Sequence, residues 1–374
     1  MRSMSLVVCV SVVTVGGAYA TVYGYTDIGA PSGWGAGYSI VPLSINDAGQ
    51  AAGYGVPKDS LWSYAFFWSS GSFDLIHPDN WYRLYAYEVN AGGLVAGDGY
   101  GTATSGYEQV WLWSKAGGFR TLSRPTDWND MYAVSLTDAG LVMGYGARSG
   151  DGIHGFTWDG TAFVDLGRFD NVSYITGFAS TSLYTGTQTW SGGAAFRTWV
   201  KDGANTRLLD YPSGAYGLGI NAMNSSGQVT GRCDVDPGEF RIRSELVVGT
   251  TTGGVQRKGT PTGWYSSQGV DIREDGLVLG YGDTTGSSDL RSFTWTPGGG
   301  FADLGLGPSW TDLVAHSINN QGVVAGHAYV GPETHGIIAA PSSTPAVPEL
   351  PPGALAALVL IPYGLSVLGR RRAR

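Results

Sequence analysis

The chain has 374 residues and a formal charge of −8, with 60 glycines, 12 % aromatic residues and only 14 % charged residues. Glycine at about 16 %, against an ordinary usage of about 7 %, suits many short strands joined by tight turns. No G-X-Y period is present, which excludes collagen; a hydrophobic content of 43 % excludes a disordered polar chain; and the acidic balance argues against nucleic acid as a partner.

In chain order, residues 1–20 come first. They carry Arg2, an apolar run from Leu6 to Val15 and the small-residue triplet Ala18-Tyr19-Ala20, the pattern of a signal peptide cleaved after Ala20. Cys9 would leave with it, so Cys233 stands alone in the remaining body and no intramolecular disulfide is expected. Stability must then come from the core even in the oxidising compartment that export implies.

From residue 21 to 341 one phrase recurs: apolar, Asn or Thr, two residues, Gly, one residue, apolar, one residue, Gly. The copies are INDAGQAAG (45–53), VNAGGLVAG (89–97), LTDAGLVMG (136–144), MNSSGQVTG (223–231), IREDGLVLG (272–280) and INNQGVVAG (318–326), with a worn copy ending at Gly186. The closing glycines Gly53, Gly97, Gly144, Gly186, Gly231, Gly280 and Gly326 are spaced 44, 47, 42, 45, 49 and 46 residues apart, the length of a propeller blade. Behind each copy follows a strand-like phrase with period-2 aromatics, such as AFFW (65–68), VWLW (110–113) and GFTW (155–158), replaced by SELVV (244–248) in the fifth unit. A closing phrase such as FDLI (73–76) or VDLG (164–167) ends the unit. Four strands per unit follow, with Asn-x-x-Gly as the first hairpin turn, its glycine supplying positive φ.

The last unit ends without a closing phrase, whereas the body opens with an orphan one, YTDIG (25–29). The expected fold is therefore all-β: a seven-bladed β-propeller of four-stranded blades, closed by the N-terminal strand completing the last blade, which leaves no long free sheet edge.

These phrases resemble the HAF family of bacterial extracellular repeats, whose His-Ala-Phe segment is echoed in His154-Gly155-Phe156 and Tyr64-Ala65-Phe66. The resemblance implies a propeller-like fold and no common activity. Beyond the body lie a Ser/Pro-rich linker (342–352), an apolar run (353–369) and the cluster Arg370, Arg371, Arg372 and Arg374, a hydrophobic segment with a cytoplasmic basic end. The order of Val347, Pro348 and Glu349, apolar run and arginines resembles the PEP-CTERM sorting signal. That resemblance implies an exosortase-like partner, transient or permanent membrane residence of residues 353–374, and delivery of the body to the cell surface or extracellular matrix. The body itself holds 17 basic and 29 acidic side chains, a formal charge near −12.

Among residues that could carry chemistry, the loops entering each unit place an aromatic at one position: Trp34, Trp81, Trp128, Tyr174, Tyr216, Trp264 and Trp310. Exposed, such rings would stack on sugars; alternatively they cap the seams between blades. The loops joining the second and third strands are read as acidic, with Asp98, Asp151, His154, His327 and His335 among their residues. Asp234, Asp236 and Glu239 offer alternating oxygens to a calcium ion, although the twelve-residue spacing of a calcium loop is missing, and no other cofactor is expected. No nucleophile elbow, zinc-protease helix or P-loop phrase is present. Three functions fit: a non-enzymatic surface module binding exopolysaccharide or matrix, a propeller enzyme such as a polysaccharide lyase or hydrolase, and a purely structural matrix protein.

Overall fold

The computed structural model describes residues 23–189, 196–236, 242–287, 289–307 and 309–342. The signal segment, the calcium candidate Glu239 and the sorting signal from Val347 to Arg372 lie outside them. No helix among the described residues is long and apolar enough to cross a membrane.

The described chain is all-β. After β1 (Tyr23–Asp27), the first repeat supplies β2 (Ser39–Ile45), β3 (Ala51–Val56), β4 (Tyr64–Ser69) and β5 (Ser72–Ile76). The second supplies β6 (Trp81–Val89), β7 (Val95–Gly101), β8 (Gln109–Ser114) and β9 (Gly118–Thr121). The third supplies β10 (Trp128–Leu136), β11 (Val142–Arg148), β12 (Gly152–Trp158) and β13 (Phe163–Arg168). The fourth supplies β14 (Tyr174–Phe178), β15 (Leu183–Thr189), β16 (Phe196–Asp202) and β17 (Asn205–Leu208). The fifth supplies β18 (Ala215–Met223), β19 (Gln228–Val235), β20 (Arg243–Thr250) and β21 (Gly254–Gly259). The sixth supplies β22 (Gln268–Ile272), β23 (Val278–Asp283), β24 (Leu290–Thr296) and β25 (Gly300–Asp303), and the last β26 (Leu313–Ile318), β27 (Val324–Val330) and β28 (Glu333–Pro341).

This is a β-propeller, but the expectation of seven separate four-stranded blades is corrected. Five repeats, the second to the sixth, form self-contained four-stranded blades in chain order. The other eight strands form one sheet ordered β26-β27-β28-β2-β3-β4-β5, with β1 antiparallel on β28. The junction is the parallel pairing of Ser39 with Thr334. At this junction the Glu333 carboxylate accepts the Gly37 N–H, and the Thr334 N–H bonds Tyr38 O at 3.5 Å.

Two features of the repeat phrase explain the packing. In the first hairpin, Asn46 Oδ1 accepts the N–H groups of Ala48 and Gln50, each at 3.0 Å, while its Nδ2 donates to Asn90 O of the next repeat at 2.8 Å. Asn90 does the same towards Thr137 O, Asn224 towards Arg273 O, and Asn319 towards Asn46 O, tying the last repeat to the first. The turn glycine has positive φ, as at Gly49 (72°). The closing glycine is required for a different reason. Each inner strand bulges opposite it, as between Pro42 and Ser44, and a Cβ on Gly53 would lie 2.1 Å from Val41 O.

The core lies between repeats. Seven apolar clusters each join two consecutive repeats, from Phe67 and Ile76 against Leu84 and Trp111 to Ala325 and Ile338 against Ile40 and Phe66. In the irregular fifth unit Leu246 and Val247 take the place of the aromatics and are fully buried.

Candidate functional site

The inner strands β2, β6, β10, β14, β18, β22 and β26 together enclose an axial cavity, with residues from all seven on its wall. The residue after each closing glycine stands beside its inner-strand partner: Tyr54 with Val41, Asp98 with Tyr85, Tyr145 with Tyr132, Thr187 with Tyr174, Arg232 with Gly219, Tyr281 with Gln268 and His327 with Val314. In four repeats that residue is flanked by two glycines, whose missing side chains let the inner strand and the loop aromatic pack closely around it. A Cβ on Gly146, for instance, would meet the Trp128 ring at 2.8 Å.

The result is a tyrosine-rich chamber. A cavity of about 460 Å³ is bounded by Tyr87, Asp98, Tyr132, Tyr145, Asn221 and His316, together with apolar side chains such as Leu43, Ile175 and Val270. Tyr132 stacks on Tyr145 with centroids 5.0 Å apart, and Tyr54 meets Tyr85 edge-on at 4.6 Å. Towards the Asn turns the cavity narrows past Glu88, Asp271 and Ser317.

Burial sets the charge states. It pushes the Tyr132 phenol up to about 12, helped by Asp130 and Glu108, and raises the Tyr87 and Tyr145 phenols too, so all three remain neutral donors and acceptors. Asp98 accepts the Ala133 N–H at 3.0 Å; burial and the neighbouring Glu108 hold its carboxyl well above the usual carboxylate range. Burial likewise raises Glu88 to about 8, helped by Asp271. His316 and His327 share a hydrogen bond of 2.9 Å, and burial lowers them to about 3 and about 4, so both imidazoles are neutral near pH 7. The chamber thus offers apolar ring faces and largely uncharged polar edges, a surface suited to a hydroxyl-rich ligand.

The aromatic residues anticipated for a sugar-binding face lie elsewhere. Trp81, Trp128 and Trp264 are 5 %, 2 % and 8 % exposed and fill seams between repeats. Trp128 and Trp264 each follow a closed P-x-x-W turn, their N–H groups bonding Pro125 O and Pro261 O at 3.1 Å, but Trp34 closes the same turn on Pro31 at 3.3 Å and is only half-buried, so the packing of the neighbouring repeat, not the turn, decides burial. Trp34 and Trp310 are half-buried, packed edge-on against Tyr64 and Tyr25. Tyr216 is half-buried as well, and Tyr174 sits opposite Thr187 on the axis.

The assignment of Asp98, His154, His327 and His335 to loops is corrected: they lie in β7, β12, β27 and β28, the first three buried, because those strands run further than their patterning suggests. His154 is buried between Asp165 (2.9 Å) and Asp151 (3.1 Å), and His335 contacts Asp27 (2.6 Å) and Glu333 (3.2 Å). The histidine of the third strand thus pairs with the aspartate of the fourth, a link inside one repeat. Of the calcium candidates, Asp234 is buried and accepts from Ser244 Oγ at 3.0 Å, while Asp236 is exposed. No group of three or more potential metal ligands converges among the described residues.

No protein-family model matches the chain, and no curated protein matches it. Among solved structures, the β-propeller domain of the Trilobed protease from Pyrococcus furiosus is similar, with a TM-score of 0.53 at 8 % identity, over 84 % of this chain and 98 % of that one. A puromycin hydrolase has a TM-score of 0.51 at 13 % identity, and a puromycin-hydrolyzing peptidase from Mycobacterium tuberculosis 0.50 at 12 %; both matches cover 80 % of this chain, but only 52 % and 53 % of theirs. At these identities the likeness establishes the propeller fold and nothing about activity.

Proposed function

We propose that this protein is a non-enzymatic, surface-exported binding module that takes part of an exopolysaccharide or related matrix glycan into its axial chamber. The observation that carries the reading is the chamber wall: Tyr87, Tyr132 and Tyr145 line a cavity that also presents Asp98, Asn221 and His316. Ring faces stack on the C–H faces of sugars, and phenol, amide and carboxyl edges bond their hydroxyls. With Trp81, Trp128 and Trp264 buried, the chamber replaces the outer loops as the contact surface.

One observation favours a catalytic reading: Asp98 and Glu108 are neighbouring carboxyls whose proton affinities burial raises, as acid catalysts require. A glycan array probed with the full-length protein, and scored for retention and for released product, separates the readings. Retention without product supports the module, product supports the enzyme, and neither leaves the structural-matrix role. In the same proposal residues 346–374 hold the body at the surface through exosortase-like machinery. Deleting them releases the protein into the medium, and retention of the truncated form refutes that part.

A further inference from the structure

Two arginines stand on strands that build the chamber, Arg83 on β6 and Arg232 on β19, in an acidic body, and their placement narrows the ligand class within the reading just proposed. Arg83 lies on β6 with its guanidinium over the Tyr85 ring at 5.5 Å and the Tyr100 ring at 4.7 Å. It gives one N–H to Glu108 at 2.6 Å, and 44 % of its side chain remains exposed. A guanidinium carries five N–H donors, so a single contact leaves a donor edge for a ligand. Arg232 follows a closing glycine, in register with the chamber residues Asp98 and Tyr145.

The inner-strand partner of Arg232 is Gly219, where a Cβ would meet nothing within 4 Å, so β18 leaves this arginine unscreened towards the axis. Its guanidinium rests over Phe196 at 4.9 Å, and its Nε is 4.0 Å from Asp234, beyond hydrogen-bond length. Aromatic faces hold both arginines in place without consuming their donor edges.

We infer that the chamber selects an anionic glycan, a chain of uronate sugars whose carboxylates pair with Arg83 and Arg232 while their rings stack on Tyr132 and Tyr145. Planar two-point pairing of carboxylate by guanidinium gives arginine its advantage over lysine here. The inference rests on the glycan-binding reading, and the test keeps the two apart.

Full-length protein is titrated calorimetrically with a galacturonate hexamer and a glucose hexamer, as the parent and as R83Q, R83K and R232Q. Thermal melts establish that each variant is folded. The expected result is tighter binding of the uronate, weakened about tenfold or more by R83Q and by R232Q, as loss of a charged hydrogen bond does. R83K restores only part of the loss, and added salt weakens uronate binding selectively. Equal binding of both hexamers, or uronate binding unchanged in R232Q and in folded R83Q, overturns the anionic selectivity and leaves the glycan-binding reading standing. Binding of neither hexamer overturns this inference, and if the glycan array is also blank the module reading falls with it.

Discussion

Replacing Asn90 by alanine isolates what the repeat asparagine contributes. Asn90 is buried; its Oδ1 accepts the N–H groups of Gly92 at 3.0 Å and Leu94 at 2.9 Å, and its Nδ2 donates to Thr137 O at 3.0 Å. Thr137 occupies the same place in the third repeat, but its hydroxyl accepts only the Leu141 N–H, at 3.1 Å. At about 1 kcal/mol for each net hydrogen bond, N90A should cost about 3 kcal/mol and T137A about 1. N90D, which keeps the acceptor and loses the bond to the next repeat, should fall between them. Urea titration of each full-length variant, followed by tryptophan fluorescence, measures the shift in midpoint at constant slope. If N90A costs no more than T137A, the asparagine does not join the repeats energetically, and the packing clusters alone hold the ring.

Further outcomes follow from the same geometry. W128A should lose about 3–5 kcal/mol of stability, as removal of a fully buried large aromatic does, and a loss below 1 kcal/mol would mean that the ring does not fill the seam. Y145A should remain folded and weaken glycan retention, by about 2 kcal/mol if Tyr145 is a hot spot; unchanged retention on a bound glycan would remove Tyr145 from the contact surface. His316 and His327 have folded values below the unfolded 6.5, so the neutral pair supports the fold above about pH 6.5 and loses that support as pH falls towards 4 and 3. H316Q should therefore flatten the loss of stability across that window, and an unchanged pH profile would count against the buried neutral pair. Glu88 runs the other way: its value rises from 4.5 to about 8, so its protonated form supports the fold below about pH 4.5 and that support is lost as pH climbs to 8. E88Q should accordingly gain on the parent as pH rises from 4.5 to 8, and a constant difference would refute the shift.

The repeat itself was legible in the sequence because it is local chemistry. Period-2 aromatics, positive-φ glycines and self-bonding asparagines specify strands and turns over a few residues, and each copy sits where its phrase predicts, down to the orphan strand around Asp27 that pairs with β28. Gly-x-Gly is a signal that sequence reasoning misses: the residues between those glycines, Tyr54, Asp98, Tyr145 and Tyr281, pair with inner strands, and Asp98 and Tyr145 line the chamber. Tertiary structure decided three matters. Trp81, Trp128 and Trp264 lie in seams rather than solvent, since exposure depends on the neighbouring repeat. The pairing of Ser39 with Thr334, nearly 300 positions apart, merges the first and last repeats into one sheet instead of two separate blades. The chamber exists only because side chains one full repeat apart converge on a shared axis, a distance no sequence window spans.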